Sequence, residues 1–273
     1  MPRTTLSRPS RGADVEHLQH LLNRGGALLK VDGDFGSGTE RAVKEAQKLA
    51  GLPATGVADA ALWTWLEARP EPSPDIPTEA VSLLVAEEVG SRKFYDSHAT
   101  FPHFPGGESG VTIGLGYDLR FQSAADFERD WGDSLTPAQM DDLRPSLGRP
   151  GSKAAVAALR HIAIPFPAAW RVFVRRLLPR YVAMTRKAFP GFDALPPLAR
   201  GALVSLVYNR GAGMDGARKK EMRAIRDHMA AAKERLDRVA AEFEAMGRLW
   251  PDAPGLVARR KKEAALWRKG LGG

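Results

Sequence analysis

The sequence predicts an α+β protein that is mostly helical. Long stretches such as Leu195 to Tyr208 carry apolar side chains at three- and four-residue spacing, which is the pattern of amphipathic helices. One short run, Val111 to Tyr117, is β-prone and predicts a strand with bends at its glycines. Four prolines between residues 68 and 77 predict an extended linker. We therefore expect domains at 1–67 and 78–273, joined by the linker 68–77.

Composition limits the class of protein. The chain has 273 residues, of which 44% are hydrophobic and 26% charged, as in ordinary soluble globular proteins with two domains. Because it has no cysteine, disulfides, thiol nucleophiles and thiolate metal sites are excluded. No apolar run reaches the length of a membrane-spanning helix, and the first fifteen residues lack the apolar core of a secretory signal.

The net charge of +8 is unevenly distributed. Residues 1–77 hold 9 basic and 10 acidic side chains, whereas the remainder holds 31 basic and 22 acidic ones. The basic part suggests a polyanionic partner, which could be nucleic acid, an anionic membrane surface or an acidic wall polymer. The chain shows no DNA-reading motif, so we expect no nucleic acid partner.

The first domain is predicted to contain three short helices separated by glycine-rich turns at 31–38 and 51–59. Asp14 and Thr39 are the expected N-caps of the first two helices. The side chains expected to point inward are Val15, Leu18, Leu21, Leu22, Ala42, Val43, Ala46, Leu49, Leu62, Trp63 and Leu66.

Residues 11–67 resemble the three-helix type of peptidoglycan-binding domain. The matching positions are Gly12, Asp14, Val15, Leu18, Gln19, Asp32, Gly33, Phe35, Gly36, Thr39 and Gln47. The resemblance implies a small three-helix bundle that binds bacterial peptidoglycan, with Asp32 and Phe35 among its substrate-binding residues. Ala46 and Ala61 depart from the family pattern.

The second domain carries candidate catalytic groups. A helix is predicted from Pro77 to about Val89, and Glu88 falls beside its apolar face, where its carboxyl group would be partly desolvated. The glycine-rich stretch from Gly106 to Leu119 contains Thr112 and Asp118. A hydroxyl and a carboxylate on such a frame, opposite a second carboxylate, are the groups that hydrolyse a glycosidic bond. The adjacent Glu87 remains an alternative to Glu88.

These residues resemble the phage-type lysozyme family. Glu88 ends a helix, Tyr95 follows seven residues later, and a Thr-Ile-Gly-x-Gly motif begins at Thr112. The segments Ala202 to Gly211 and Gly255 to Trp267 resemble later family segments. The resemblance implies a lysozyme-like catalytic domain with a small β-hairpin. Its Gly-Tyr-Asp-Leu ending is similar to the pesticin-like branch of muramidases.

The resemblance also implies roles for the residues. Glu88 would be the general acid, Thr112 would position water, and Asp118 would be the second carboxylate. Asp96 competes with Asp118, because it lies near the position of the common family's Asp. The water-holding arrangement implies inversion, although the carboxylate separation that distinguishes inverting from retaining enzymes cannot be read from a sequence. Tyr117 and Asn209 are implied substrate-binding residues, and Asn209 could equally be a helix cap.

No cofactor or metal is expected. His98 and His103 lie in a loop without ligand spacing, and His161 is remote in sequence. The glycines at 114 and 116 lack the βαβ context of a dinucleotide site. The charged run Arg259 to Lys262 is expected to be a solvated helix face or a contact with wall polymer. We expect a monomer.

The expected function is that of a modular peptidoglycan hydrolase, a lysozyme or N-acetylmuramidase that its N-terminal domain targets to the wall. It would cleave the β-1,4 bond between N-acetylmuramic acid and N-acetylglucosamine. We expect it to be made in the host cytoplasm and to act on the wall after release, as a phage endolysin. An injected antibacterial muramidase is one alternative, and a non-catalytic wall-binding phage protein is another. The basic domain would favour anionic wall or outer-membrane surfaces.

Overall fold

The computed structural model describes residues 4–231 and 233–273. Over these residues the protein is mostly helical, with one two-stranded antiparallel sheet, so the predicted α+β class is confirmed. Within the same ranges, no helix combines the length and the apolarity that crossing a membrane would require.

The helices and strands follow one another with short connections. In chain order the α-helices are α1 (Ala13–Arg24), α2 (Ser37–Leu49), α3 (Ala60–Glu67), α4 (Thr78–Val89), α5 (Arg92–Phe94), α6 (Ala124–Trp131), α7 (Pro137–Leu143), α8 (Lys153–Ala158), α9 (Phe166–Val172), α10 (Leu178–Ala188), α11 (Pro197–Arg210), α12 (Lys220–Ala230), α13 (Val239–Ala245) and α14 (Pro254–Leu271). The strands are β1 (Thr112–Ile113) and β2 (Tyr117–Asp118), and π-helical turns span Tyr95–Ala99 and Phe173–Leu177.

Packing divides the chain into two compact units, and their boundaries differ from the predicted domain boundaries. The first unit contains the residues up to Pro70 and Glu88–Leu177, and the second contains Glu71–Glu87 and Leu178–Gly273. The division therefore falls inside α4. The domains at 1–67 and 78–273 with a linker at 68–77 stay a prediction.

In the first unit, α1 to α3 form a bundle with its own hydrophobic core. Val15, Leu18, Val43 and Leu62 are fully buried in it, whereas Leu49, predicted to point inward, is 53% exposed. The helices also begin earlier than predicted. α1 follows Gly12 and α2 follows Gly36, and neither has a side-chain cap. Gly12 has a φ of 107°, which favours glycine, so the start is set by backbone conformation.

The predicted caps Asp14 and Thr39 are therefore wrong. Asp14 lies in the first turn of α1. Thr39 is buried inside α2, where its hydroxyl accepts a hydrogen bond from the Gln19 amide at 3.3 Å. The same amide reaches the turn before α2, because Gln19 Oε1 accepts from the backbone N–H groups of Asp32 and Gly33 at 3.0 and 3.1 Å. Gln19 thus shapes the glycine-rich turn.

The rest of the first unit packs around α6 and α9. Phe127, Trp131, Phe166 and Trp170 are buried there. The helix α7 begins with a complete capping box between Thr136 and Gln139 and has Pro137 as its first residue. The π-helical turn Phe173–Leu177 directly follows α9.

In the second unit, α11 is buried along most of its length. A Cβ at Gly201 would lie 2.2 Å from the Ala80 Cβ, so α11 and α4 approach too closely for any other residue at that position. A 3₁₀ turn at Lys233–Arg238 lies between α12 and α13, and a second one at Met246–Leu249 follows α13.

The expectation that Arg259 to Lys262 forms a solvated face is wrong for its first half. Arg259 and Arg260 are 2% and 0% exposed, and Glu263 is fully buried with them, while Lys261 and Lys262 are exposed. Arg259 and Arg260 lie one turn before Glu263 on α14, and both donate to Glu263 Oε1, at 3.2 and 2.9 Å. This partner makes their burial possible.

Candidate active site

The strands β1 and β2 form a hairpin that places Thr112 opposite Asp118 and Ile113 opposite Tyr117. The connecting turn contains Gly114 and Gly116, whose φ values of 58° and 84° favour glycine. Residues directly opposite each other in an antiparallel pair lie on the same face of the sheet. The Thr112 and Asp118 side chains therefore share one face of the hairpin, and Ile113 and Tyr117 share the other.

The spacing of the hydrogen bonds brings Thr112 and Asp118 close together. The Leu119 N–H donates to the Val111 carbonyl at 2.9 Å, on the outer side of the Thr112–Asp118 pair. This is the pattern of a non-hydrogen-bonded pair, in which opposing Cα atoms are about 4.5 Å apart and side chains are at their closest. The structure thus brings together two of the three residues predicted to act in catalysis.

A third residue extends this row. The backbone of His103 exchanges both hydrogen bonds with Thr112, at 2.9 and 2.8 Å, as an isolated antiparallel bridge. His103, Thr112 and Asp118 therefore stand side by side across the sheet. The His103 side chain is solvent accessible. Desolvation by the surrounding protein lowers the pKa of the His103 imidazole, although the negative charge of the Asp118 carboxylate acts to raise it.

Sequence reasoning missed His103 as a partner of Thr112 and weighed it only as a metal ligand. A single-residue bridge from an irregular loop leaves no periodic pattern in a sequence, so only its neighbouring aromatic and glycine residues marked the loop. Across the described residues, no group of three or more metal-ligating side chains is placed to hold an ion.

Asp118 is held in place by backbone donors. Its carboxylate accepts hydrogen bonds from Gly110 N–H at 3.0 and 3.1 Å and from Arg120 N–H at 2.9 Å. A Cβ on residue 110 would lie 2.5 Å from Asp118 Oδ1, so this approach requires glycine. The carboxylate is half-buried, and its orientation is fixed before any ligand arrives.

Thr112 presents a polar group that the protein leaves unsatisfied. The residue is 3% exposed, and its hydroxyl has no hydrogen-bond partner among the described residues. Buried hydroxyl groups are nearly always paired, and an unpaired one calls for an explanation such as a bound water or ligand. The hydroxyl is therefore available to hold a small polar group beside Asp118.

Glu88 lies in the last turn of α4, in the same compact unit as the hairpin. It is exposed, so the expected partial desolvation beside the apolar face is wrong. The neighbouring Glu87 is the less exposed of the two, with an 11% exposed side chain, and it forms an ion pair with Lys262 at 2.5 Å within the second unit. The helix turns Glu87, not Glu88, toward protein.

Tyr117 lies on the opposite face of the hairpin from Thr112 and Asp118. It is 2% exposed and packs edge-on against Trp131, with ring centroids 5.6 Å apart. Its hydroxyl donates to Asp130 at 3.0 Å, and burial raises its pKa. This placement does not support the predicted contact with substrate, because the ring is enclosed in the core and holds the hairpin from behind.

Asp96, the alternative candidate for the second carboxylate, is hydrogen-bonded to Arg92. Both of its oxygens accept from Nε of Arg92, at 2.9 and 3.1 Å, one turn earlier in the chain. The hydrogen bonds that Asp118 accepts from the described residues come, in contrast, from backbone N–H groups, and Asp118 lies opposite Thr112. The geometry favours Asp118 over Asp96.

The predicted binding residues of the bundle differ in their exposure. Asp32 is exposed and accepts from the Gln19 amide at 3.0 Å, and this hydrogen bond is the main cause that lowers its pKa. Phe35 is 1% exposed and belongs to the bundle core. The predicted contact of Phe35 with substrate is therefore not supported, because the residue anchors the turn instead.

Asn209 belongs to the second compact unit, at the end of α11. Its side-chain oxygen accepts from Nη2 of Arg260 at 3.2 Å. It does not cap the helix, since Gly211 supplies the backbone N–H that bonds to Val207 at the C-terminus. Within its own unit, Asn209 links α11 to the buried charges of α14.

Comparison with known proteins gives three results. No curated protein matches the chain significantly. The crystal structure of Burkholderia AP3 phage endolysin is similar over 97% of this chain and 100% of that chain, at 18% identity and a TM-score of 0.24, which is below the level of a shared fold. Residues 11–66 match the family model described as "Putative peptidoglycan binding domain". The resemblance predicted for residues 11–67 is confirmed by this match, and the bundle α1 to α3 carries that family's pattern.

Proposed function

We propose that this protein is an endolysin-type peptidoglycan hydrolase, a muramidase that cleaves the β-1,4 bond after N-acetylmuramic acid. The family match of residues 11–66 supports peptidoglycan as the partner of the bundle. The observation that supports the hydrolytic activity is the position of the buried Thr112 hydroxyl, which lies directly opposite Asp118 and has no hydrogen-bond partner in the part of the chain that the structure describes. We propose in addition that the protein is made in the host cytoplasm and acts on the wall after release.

In this mechanism Asp118 and Thr112 hold the attacking water. Asp118 has a lone pair free to accept the water's proton, and the Thr112 hydroxyl can donate to or accept from the same water. Glu88 protonates the leaving oxygen. Because Glu88 is exposed, the desolvation that keeps a general acid protonated would come from the bound glycan itself. His103 lies on the other side of Thr112 from Asp118 and would contact a sugar substituent.

Analysis of the reaction products tests this function. Purified peptidoglycan is digested with the protein, the products are reduced with borohydride, and the fragments are identified by mass spectrometry. A muramidase leaves reduced N-acetylmuramic acid ends. Reduced N-acetylglucosamine ends, anhydro-muramic ends or free stem peptides would each assign a different bond, and the absence of any product would leave the protein as a wall-binding protein.

Thr112→Val separates the catalytic role of the hydroxyl from its place in the fold. Valine has the same shape, and it removes a buried hydroxyl without a partner among the described residues, so we expect stability to change by less than ~1 kcal/mol. Loss of water positioning should lower the rate of wall hydrolysis on the order of 10²-fold. Thr112→Ser should retain much of the rate. Equal rates for the Val and Ser variants would show that the hydroxyl has no part in the reaction.

The variant Asp118→Asn tests whether Asp118, rather than Asp96, is the second catalytic carboxylate. The asparagine oxygen can still accept from Gly110 and Arg120, so the hairpin should keep its conformation. We expect hydrolysis to fall on the order of 10²–10⁴-fold, because the amide cannot take a proton from water. Asp96→Asn weakens only the bond to Arg92 and should stay close to the parent rate. The reverse result, measured as release of reducing ends, would transfer the role to Asp96.

A further inference from the structure

Arg92 joins the bundle to the remainder of the first compact unit. Its two terminal nitrogens donate to both carboxylate oxygens of Glu45, on α2, at 2.6 and 2.7 Å. Its Nε bonds to Asp96, and its guanidinium lies 4.6 Å from the ring centre of Phe166. The Arg92 side chain is only 13% exposed. Burial acts to lower its pKa, but the bonds to Glu45 and Asp96 outweigh this and raise it. Such a bidentate pair fixes orientation as well as distance.

Trp170 makes a second, independent contact with the bundle. Its indole N–H donates to the carbonyl of Arg24, at the end of α1, at 3.2 Å. Gly26 packs so closely against the indole that a Cβ at this position would be 2.5 Å from Cδ2 and 2.7 Å from Cγ of Trp170. The two contacts involve different helices of the bundle, α1 and α2, so together they define one orientation.

The helix α9 connects this contact to the hairpin. Trp170 contacts the bundle and Phe166 contacts the Arg92 guanidinium, while the neighbouring Ala169 faces the hairpin turn. A Cβ at Gly114 would lie 3.0 Å from the Ala169 Cβ. The bundle is thus separated from the turn between β1 and β2 by the thickness of one helix. Because protein interiors have few voids, the position of the bundle on one side of α9 constrains the position of the hairpin on the other side.

From these contacts we propose that the bundle is docked through Arg92 and Trp170 as a fixed part of the substrate-binding surface. A wall strand held by the bundle would then enter the row of His103, Thr112 and Asp118 in one orientation. This contrasts with the tethered anchor that a proline-rich linker at 68–77 predicts, in which only local concentration matters. The substrate named here rests on the proposed function, but the docking itself does not.

Two glycines offer a matched test of docking. Gly26 and Gly51 both belong to the bundle and both have positive φ, 84° and 69°. A Cβ at Gly26 meets Trp170, whereas a Cβ at Gly51 meets nothing within 4 Å. Gly26→Ala and Gly51→Ala therefore strain the backbone in the same way, but only Gly26→Ala forces the bundle away from α9.

Spin labels measure the outcome directly. The chain has no cysteine, so labels attach only at introduced sites, and the exposed positions Lys48→Cys and Ala125→Cys place one label on the bundle and one on α6. Double electron–electron resonance should give one narrow distance distribution for the parent and for Gly51→Ala, and a broad one for Gly26→Ala. A broad distribution in the parent, or an unchanged one in Gly26→Ala, would overturn the proposal.

A second pair of variants guards against local unfolding around residue 26. Glu45→Ala removes the bond to Arg92 and should also broaden the distribution. Glu40→Ala, also on α2, removes only pairs with Lys44 and Arg8 inside the bundle and should leave it narrow. Equal distributions for these two variants would show that Arg92 does not hold the bundle.

The rate of sacculus hydrolysis gives the functional arm. If orientation matters, Gly26→Ala should hydrolyse purified sacculi roughly tenfold more slowly than Gly51→Ala, while the two pellet equally with the wall. Equal rates would return the bundle to the role of a tethered anchor. If the parent itself releases no glycan, the proposed function fails, whereas the spin-label distances still decide the docking.

Discussion

Replacing Glu88 by Gln is expected to abolish the clearing of cell-wall suspensions while leaving the protein folded. Glutamine has the size of glutamate but cannot give a proton to the leaving oxygen, and loss of a general acid costs on the order of 10²–10⁴-fold in rate. Glu88 is exposed at the end of α4, where an uncharged side chain of equal length is easily accommodated. Circular dichroism melts of parent and variant should coincide.

Glu87→Gln is the matched control for this experiment. Glu87 precedes Glu88 on the same turn, but it is paired with Lys262, so its substitution should lower stability slightly and spare activity. Turbidity assays on the two variants then choose between the adjacent carboxylates. Full activity in Glu88→Gln together with an inactive Glu87→Gln would reverse their roles, and full activity in both would remove α4 from the mechanism.

The largest expected effect on stability belongs to Glu263→Gln. This carboxylate is fully buried, and it accepts from Arg259, Arg260 and the Ser205 hydroxyl, the last at 2.6 Å. Burial lowers the pKa of Arg260 to about 10, so this guanidinium still carries its charge at neutral pH. Glu263→Gln removes the negative charge that bonds to both buried arginines, and breaking a buried ion pair in this way costs about 3–5 kcal/mol.

Urea unfolding measures this loss against an exposed ion pair that joins α13 to α14. Glu244 bonds to Arg268 of α14 at 2.8 Å, with both side chains more than 40% exposed. Glu244→Gln should change the free energy of unfolding by less than ~1 kcal/mol. If both variants lost the same small amount, the buried cluster would contribute no more than an exposed pair, and the two arginines would have to be stabilised by other contacts.

The helices were the part of the fold that the sequence could predict, because their apolar residues repeat with the helical period. Caps were harder. Asp14 and Thr39 have the right chemistry for capping, yet Gly12 and Gly36 precede the helices, and nothing in the pattern weighs backbone conformation against a side-chain bond. The prediction for Arg259 failed for a related reason. A run of four basic residues indicates a solvated face unless a buried partner such as Glu263 is known.

The candidate site was predictable as a set of residues but only partly as an arrangement. Glycine-rich sequence around Thr112 and Asp118 indicated a sharply bent β segment, and their placement opposite each other follows from where the turn falls. The turn position depends on the backbone at Gly114 and Gly116, which a sequence does not record. The sequence could not place His103 next to Thr112, because the bridge between these two residues joins an irregular loop to the sheet.

The two faces of the hairpin have separate tasks, and this separation has an evolutionary consequence. Ile113 and Tyr117 on one face anchor the hairpin in the core, and backbone hydrogen bonds set the register of His103, Thr112 and Asp118 on the other. The Asp118 carboxylate also binds the backbone of Gly110 and Arg120, whereas no such role in the scaffold is seen for the side chains of His103 and Thr112 among the described residues. Positions 103 and 112 can therefore diversify by single substitutions without loss of the fold, so that one frame can accommodate new bond specificities while its buried face stays constant.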